Sequence, residues 1–411
     1  MNYKIFPPSR SKSTSVRLPL SKSISNRVLM MRKLTPGNPK MPNLASCDDT
    51  FAIIKAFTEP SAESINVGAA GTAMRFLTAY FASYPGRTVF IDGSERMRQR
   101  PIGPLVDALR SLGANIEYTE TEGFPPLRIT GTQMKGGQVT LDAGMSSQYV
   151  SALMMIGPSM ENGLTINLKG KPVSMPYIIM TLMMMLKAGI QVMLHDNTIT
   201  IAPGAYHDCD IKVEADWSAA SYWYALVASG ATDNVSLLGL EHKSIQGDSA
   251  VAQIYTRLGV ATDTLADNET VLTRLGKTTS CMETDLTDNP DLAQTIAVTC
   301  CLKYIPFRLT GLSTLPLKET DRLQALKTEL HKLGFDITVE DNDTLVWNGE
   351  ITDIQPSPKI ATYNDHRMAM TFAAASAMFP GIVIEDAEVV NKSYPKFWDD
   401  LTQAGFKIVK A

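Results

Sequence analysis

An excess of positive charge is the first thing this sequence lacks: 38 Lys and Arg stand against 42 Asp and Glu in 411 residues, a formal net charge of −4. Such a balance gives no overall field to draw in nucleic acid or an anionic membrane, so any cluster of cations needs a local cause. Aromatics are few, at 7%, which also argues against a nucleic-acid surface of basic residues and stacking rings. Cysteine is scarce and odd in number. Cys47, Cys209, Cys281, Cys300 and Cys301 form no C-x-x-C pair, which argues against a disulfide framework and fits reduced, buried thiols in a cytoplasm. The five histidines fall in no H-E-x-x-H or other metal-ligand spacing, so no protein-held metal is expected. Long hydrophobic runs are missing too. The most apolar stretch, Ile178 to Leu186, is cut by Lys187, well below the roughly 20 residues of a membrane span. The opening MNYKIFPPSR has neither the apolar core nor the small-residue cleavage site of a signal peptide. A cytoplasmic protein is expected. What is present is 44% hydrophobic residues over a length too great for one core, hence two or so domains.

One phrase recurs five times: an amphipathic helix, a small residue or leucine, a glycine, then an alternating strand pair, as in LVDALRSLGANIEYTETEGFPPLRIT. Its glycines are Gly113, Gly189, Gly259, Gly334 and Gly405, at intervals of about 70 to 76 residues, and each reads as the left-handed residue that ends a helix. The last copy, FWDDLTQAGFKIVKA, is cut short by the chain end, and a sixth, before Gly113, is degenerate. With the elements between copies, each unit reads strand, helix, strand, helix, strand, strand. Two globules of three units are the natural division, and EADWSAASYW opens a new helix near the midpoint.

The polar residues that suggest chemistry fall at helix starts, where free backbone N–H groups and the helix dipole favour anions. SKSISNRVLMM supplies Lys22, Ser23 and Arg27; GAAGTAMR supplies Gly71 and Arg75; DGSERMRQRPIG supplies Arg96, Arg98 and Arg100. Ser146, Ser147 and Gln148 open one helix and Ser174 and Tyr177 another. Asp291 follows Pro290 at a helix start, LKETDR packs Lys318, Glu319, Asp321 and Arg322 together, and Lys392 lies near the end. In YNDHRMAM, Asn364 or Asp365 is the expected N-cap, Asp365 and His366 read as positioning groups and Arg367 as an anion ligand. The set is several cations, several hydroxyls and two or three carboxylates, suited to small polyanionic substrates with acids left for proton transfer.

In order and approximate spacing, SKSISNR, GAAGTAMR, RQRPIG, SSQ, LKETDR, YNDHRMAM and KSYPKFW resemble the 5-enolpyruvylshikimate-3-phosphate synthase family along essentially the whole chain. The resemblance implies an enolpyruvyl transferase fold: two inside-out α/β domains, each of three βαβαββ repeats, the first repeat here shortened. It implies a discontinuous domain of residues 1–20 plus 215–411 on the phosphoenolpyruvate side, an inserted domain of 21–214 on the shikimate 3-phosphate side, and an active site in the cleft between them. The implied reaction transfers the carboxyvinyl group of phosphoenolpyruvate to the 5-hydroxyl of shikimate 3-phosphate, releasing phosphate. No cofactor or metal is implied. The partners are two small-molecule substrates, with no nucleic acid or membrane, and a monomer is expected. Carried over by motif, Lys22, Ser23, Arg27, Ser146, Ser147, Gln148, Ser174, Asp291 and Lys318 are similar to the shikimate 3-phosphate contacts. Lys22, Gly71, Arg100, Gln148, Arg322, Arg367 and Lys392 are similar to the phosphoenolpyruvate contacts. Asp291 resembles the base for the attacking hydroxyl, and Glu319 and Lys22 the groups that move the methylene proton, with the division of duties left open.

Three departures stand out. Ala69 replaces a frequent Asn, Thr314 stands where an Asn contact to shikimate 3-phosphate is usual, and the first repeat is short. Gly71 remains, where Ala would crowd phosphoenolpyruvate and glyphosate, so glyphosate sensitivity is expected. The rivals are a UDP-N-acetylglucosamine enolpyruvyl transferase and a non-catalytic anion-binding or nucleic-acid-binding protein on the same fold. The loop DGSERMRQRPIG lacks the cysteine usual in the first, and Asp291 and Glu319 are poor choices for a phosphate-binding surface that does no chemistry.

Overall fold

The five recurring glycines end five helices in the computed structural model, which describes residues 1–9, 14–37, 39–59, 63–265 and 268–411. Their φ angles run from 81° to 98°, and each directly follows a helix C-cap residue, a place where any side chain would be strained. The chain opens with β1 (Tyr3–Phe6) and β2 (Ser15–Arg17), then α1 (Lys22–Leu34) and α2 (Asp48–Thr58). A full repeat follows: β3 (Ser64–Asn66), α3 (Gly71–Ala82), β4 (Thr88–Asp92), the short α4 (Glu95–Arg98), α5 (Gly103–Ser111), β5 (Asn115–Tyr118) and β6 (Leu127–Thr130). The next comprises β7 (Gly137–Asp142), α6 (Ser147–Ile156), β8 (Leu164–Lys169), α7 (Met175–Lys187), β9 (Val192–His195) and β10 (Thr198–Ile201).

Three more repeats follow. The first is α8 (Trp217–Ala228), β11 (Asn234–Leu238), α9 (Val251–Arg257), β12 (Val260–Thr264) and β13 (Glu269–Arg274). The second is β14 (Met282–Asp285), α10 (Ala293–Leu302), β15 (Phe307–Thr310), α11 (Arg322–Lys332), β16 (Thr338–Glu340) and β17 (Thr344–Trp347). The third is β18 (Lys359–Ile360), α12 (His366–Phe372), β19 (Ile382–Ile384), α13 (Phe397–Gln403) and β20 (Lys407–Lys410).

Each of the five repeats that follow α2 forms one four-stranded sheet, and the five sheets share a strand order. Two parallel strands joined by a helix are followed by an antiparallel pair whose second strand inserts next to the parallel pair, as in the order β7-β8-β10-β9. Two sheets borrow strands from the N-terminus. β1 lies between β19 and β20, with Tyr3 opposite both Ile384 and Lys410, and so completes the copy that the chain end cuts short. β2 pairs in parallel with β11.

The chain divides into two compact units, Met1–Leu20 with Glu214–Ala411, and Ser21–Val213. In the first, α8, α10 and α12 pack on one another. All ten residues of α10 are buried, as a helix apolar on every side requires. The sheets alternate buried and exposed residues, for example in β7 and β15, and so cover the helices with one face in water. In the second unit α1 packs against α3, α6 and α7. Its shortened first repeat consists of α1 and α2, with no strand among the described residues of 21–63.

No helix among the described residues is long and apolar enough to cross a membrane. All five cysteines are free thiols. Cys47, Cys300 and Cys301 are buried, but Cys281 is exposed and Cys209 partly so, which corrects the expectation of uniform burial: Cys281 lies just before β14, where the chain enters the sheet from a surface loop.

Candidate active site

In the discontinuous unit three helix starts converge on one guanidinium. Asp321 caps α11 by accepting the N–H groups of Leu323 and Gln324, both at 3.1 Å, which places Arg322 at the first helical position. Arg322 is 1% exposed. Its Nε donates to Asp365 at 2.7 Å, Nη1 to Asp291 at 2.8 Å and Nη2 to Glu319 at 2.9 Å. Asp365, rather than Asn364, caps α12 through the N–H of Arg367 at 2.8 Å. Arg367 then reaches Asp291 Oδ2 with Nη2 at 3.0 Å. Lys318 Nζ lies 3.5 Å from Asp291, and Lys392 Nζ donates to Glu319 at 2.7 Å. Asp291 itself sits in the 3-10 turn Pro290–Leu292 that leads into α10.

Asp291, Lys318, Glu319, Arg322, Arg367 and Lys392 are thus one network, with Asp365 as its buried anchor. His366 Nδ1 is 3.8 Å from Asp365. Four cations against three carboxylates leave one positive charge in excess, and the helix N-termini add to it. Burial works to raise the pKa of Asp291, but Arg367, then Lys318 and Arg322, outweigh it and hold the acid well below the usual carboxylate range. Burial works to lower Arg322, yet Asp365, Glu319 and Asp291 drive it upward. Such a site keeps Asp291 ionised but weakens it as a base for as long as its cations stay on it, so anions that compete for those cations would restore its affinity for a proton.

Two members of the cluster carry no sequence signal. Tyr222 on α8 sets its hydroxyl 3.5 Å from Arg367, and burial pushes its pKa up to about 12. Asp248 is buried at a 3-10 turn and accepts a bond from the Ser218 hydroxyl. Burial raises its pKa, against the opposing charge of Arg367. Both stand in ordinary apolar or turn contexts, and only the fold brings them to Arg367.

In the continuous unit Ser21 caps α1, and Arg27 on its second turn is buried with no carboxylate among its hydrogen-bond partners in the described residues. Its Nε donates to Thr181 at 2.7 Å, Nη1 to the Ser23 carbonyl at 2.9 Å, and Nη2 to Ser151 at 3.0 Å and the Tyr177 carbonyl at 3.2 Å. Burial lowers its pKa to about 10. Lys22 pairs with the buried Asp49 of α2 at 3.2 Å, a partner hidden in the degenerate repeat.

Ser146 caps α6, with Ser147 in its first turn, and Gln148 reaches the Thr72 hydroxyl at 3.3 Å. Ser174 opens α7 in the left-handed region at φ 54°. At the start of α3, an added Cβ on Gly71 would lie 2.7 Å from both terminal nitrogens of Arg100, so Gly71, Arg100, Thr72 and Gln148 converge. Arg75 bonds the carbonyls of Gly71 and Pro101 at 3.2 and 2.8 Å, fastening the loops around them. Arg98 is drawn away by Asp92 and Glu120. Among the described residues no group of three or more His, Cys, Asp or Glu could hold a metal ion.

The sequence model of the EPSP synthase (3-phosphoshikimate 1-carboxyvinyltransferase) family matches residues 52–401. A 3-phosphoshikimate 1-carboxyvinyltransferase of Bacteroides fragilis is 51% identical over 99% of both chains. One from Vibrio atlanticus is 34% identical over 96% of this chain and 97% of its own. A solved EPSP synthase from Acinetobacter baumannii superposes with a TM-score of 0.77 over 100% of both chains at 22% identity, a likeness of fold.

Proposed function

Because the chain belongs to the EPSP synthase (3-phosphoshikimate 1-carboxyvinyltransferase) family, we propose that it transfers the carboxyvinyl group of phosphoenolpyruvate to the 5-hydroxyl of shikimate 3-phosphate. The observation that carries this reading is the Arg322 network: Asp291 and Glu319 are bonded to one buried guanidinium among Lys318, Arg367 and Lys392. Arg322, Arg367 and Lys392, with Lys22, Gly71, Arg100 and Gln148, are assigned to phosphoenolpyruvate. Lys22, Ser23, Arg27, Ser146, Ser147, Gln148, Ser174, Asp291 and Lys318 are assigned to shikimate 3-phosphate. The Thr314 hydroxyl, in the same unit as Asp291 and Lys318, is buried and without an internal hydrogen-bond partner among the described residues.

In the addition step the 5-hydroxyl oxygen bonds to C2 of phosphoenolpyruvate. Its proton passes to Asp291, and C3 takes a proton from Glu319 or Lys22 to become a methyl group. In the elimination step the methyl group returns a proton, the double bond reforms and the C2–O bond to phosphate breaks. The cations hold phosphate and carboxylate throughout, and each well-placed donor to a developing charge is worth roughly 2.7–4 kcal/mol of barrier. The enzyme would act on these small molecules as a monomer in the cytoplasm, where its free thiols stay reduced.

Phosphate release from phosphoenolpyruvate tests the activity. Release that requires shikimate 3-phosphate is expected. Release with UDP-N-acetylglucosamine instead would overturn the acceptor, a result that the absence of cysteine from residues 92–103 argues against.

A further inference from the structure

Glu329 lies on α11 two turns beyond Arg322, and its carboxylate is fully buried although the reaction above does not use it. It accepts the Lys332 ammonium at 2.9 and 2.7 Å, the Ala361 N–H at 3.1 Å and the Tyr363 hydroxyl at 2.7 Å. Lys332 also donates to the Lys359 carbonyl at 3.0 Å. The segment gripped in this way, residues 359–363, runs directly into Asp365 and Arg367. It leads through two consecutive left-handed residues that are not glycine, Tyr363 at φ 53° and Asn364 at φ 56°. Residues of this kind hold such a backbone only when their surroundings enforce it. Arg322 holds the far end of the segment through Asp365, so one rigid helix grips it at two places.

We propose that Glu329, with Lys332 and Tyr363, is a positioning group for the phosphoenolpyruvate side of the site: it holds the left-handed turn that sets Asp365 against Arg322 and aims Arg367. The inference rests on the activity proposed above. It explains why a carboxylate without a chemical duty is kept in a buried place, where its charge needs three separate donors to be tolerated. It also weighs on the two substrates unequally: of the residues assigned to shikimate 3-phosphate only Asp291 and Lys318 share this unit, whereas Lys22, Ser23, Arg27, Ser146, Ser147, Gln148 and Ser174 belong to the other and do not lean on this turn.

The test is steady-state phosphate release by wild type, Glu329→Gln, Tyr363→Phe and the double variant, with KM measured for each substrate. Glu329→Gln should raise KM for phosphoenolpyruvate about tenfold, equal to about 1.4 kcal/mol, and leave KM for shikimate 3-phosphate within about twofold. Tyr363→Phe, at a side chain 38% exposed, should raise the same KM about threefold. The double variant should fall short of the product of the two single effects, because the changes share the Glu329–Tyr363 contact. An unchanged KM for phosphoenolpyruvate in Tyr363→Phe, or a parallel rise of both KM values in Glu329→Gln, would overturn the inference. If Glu329→Gln does not fold, Tyr363→Phe decides alone. A wild type that releases no phosphate would overturn the proposed activity instead, a result distinct from either.

Discussion

Replacing Arg322 by Met should destabilise the discontinuous unit by about one buried ion pair rather than three. Asp291 keeps Arg367 and Lys318, and Glu319 keeps Lys392, so two of the three carboxylates retain a cation. Asp365, 0% exposed, loses the guanidinium that bonds it at 2.7 Å. Breaking one buried pair costs roughly 3–5 kcal/mol. For a unit of this size that is a fall in melting temperature of roughly 6–20 °C, since each kcal/mol shifts it by about 2–4 °C. The control is Arg274→Met, whose bond to Asp233 is about half exposed on both sides and should cost less than about 1 kcal/mol. Differential scanning calorimetry of the two variants reads the contrast directly. The sign of the pH dependence also follows. Asp291 is depressed in the folded state, so its stabilisation is present above the unfolded pKa of about 3.9 and is lost as pH falls through the folded value. Arg322→Met removes part of that depression, so the gap to wild type should be full at pH 7 and should narrow as pH drops below about 4. Equal losses for Arg322→Met and Arg274→Met would refute the reasoning.

Gly71→Ala places a methyl group 2.7 Å from the Arg100 guanidinium, so steady-state kinetics should show a raised KM for phosphoenolpyruvate and a raised inhibition constant for glyphosate, whereas wild type should be glyphosate-sensitive. Arg27 is buried among hydroxyls and carbonyls, and its pKa is lowered by burial, so an arriving anion should relieve it: shikimate 3-phosphate near 100 times its Kd should stabilise wild type by about 2.7 kcal/mol in a thermal-shift assay, and Arg27→Ala should lose most of that gain.

The repeat was legible because a left-handed helix end tolerates little but glycine, so Gly113, Gly189, Gly259, Gly334 and Gly405 mark it wherever it occurs. The strand that completes the last copy was not, because Tyr3–Phe6 comes from the opposite end of the chain and four residues carry too little pattern to name a distant partner. The cations and acids of LKETDR and YNDHRMAM stood out as charges at the mouths of apolar helices. Their pairing did not, since it depends on three helices from two repeats meeting at Arg322. Tyr222 and Asp248 join that meeting from sequence contexts typical of core and turn. SKSISNR holds no acid to pair with Lys22; Asp49 does so from the one repeat whose pattern is degenerate.

The most direct test is kcat for phosphate release from phosphoenolpyruvate and shikimate 3-phosphate in Asp291→Asn and Glu319→Gln, which keep shape but remove the acids from the Arg322 network. Loss of a positioned proton-transfer group should lower kcat by about 10²–10⁴-fold in each variant, with both substrates still bound. Turnover within about tenfold of wild type in both variants would contradict the assignment of proton transfer to this network.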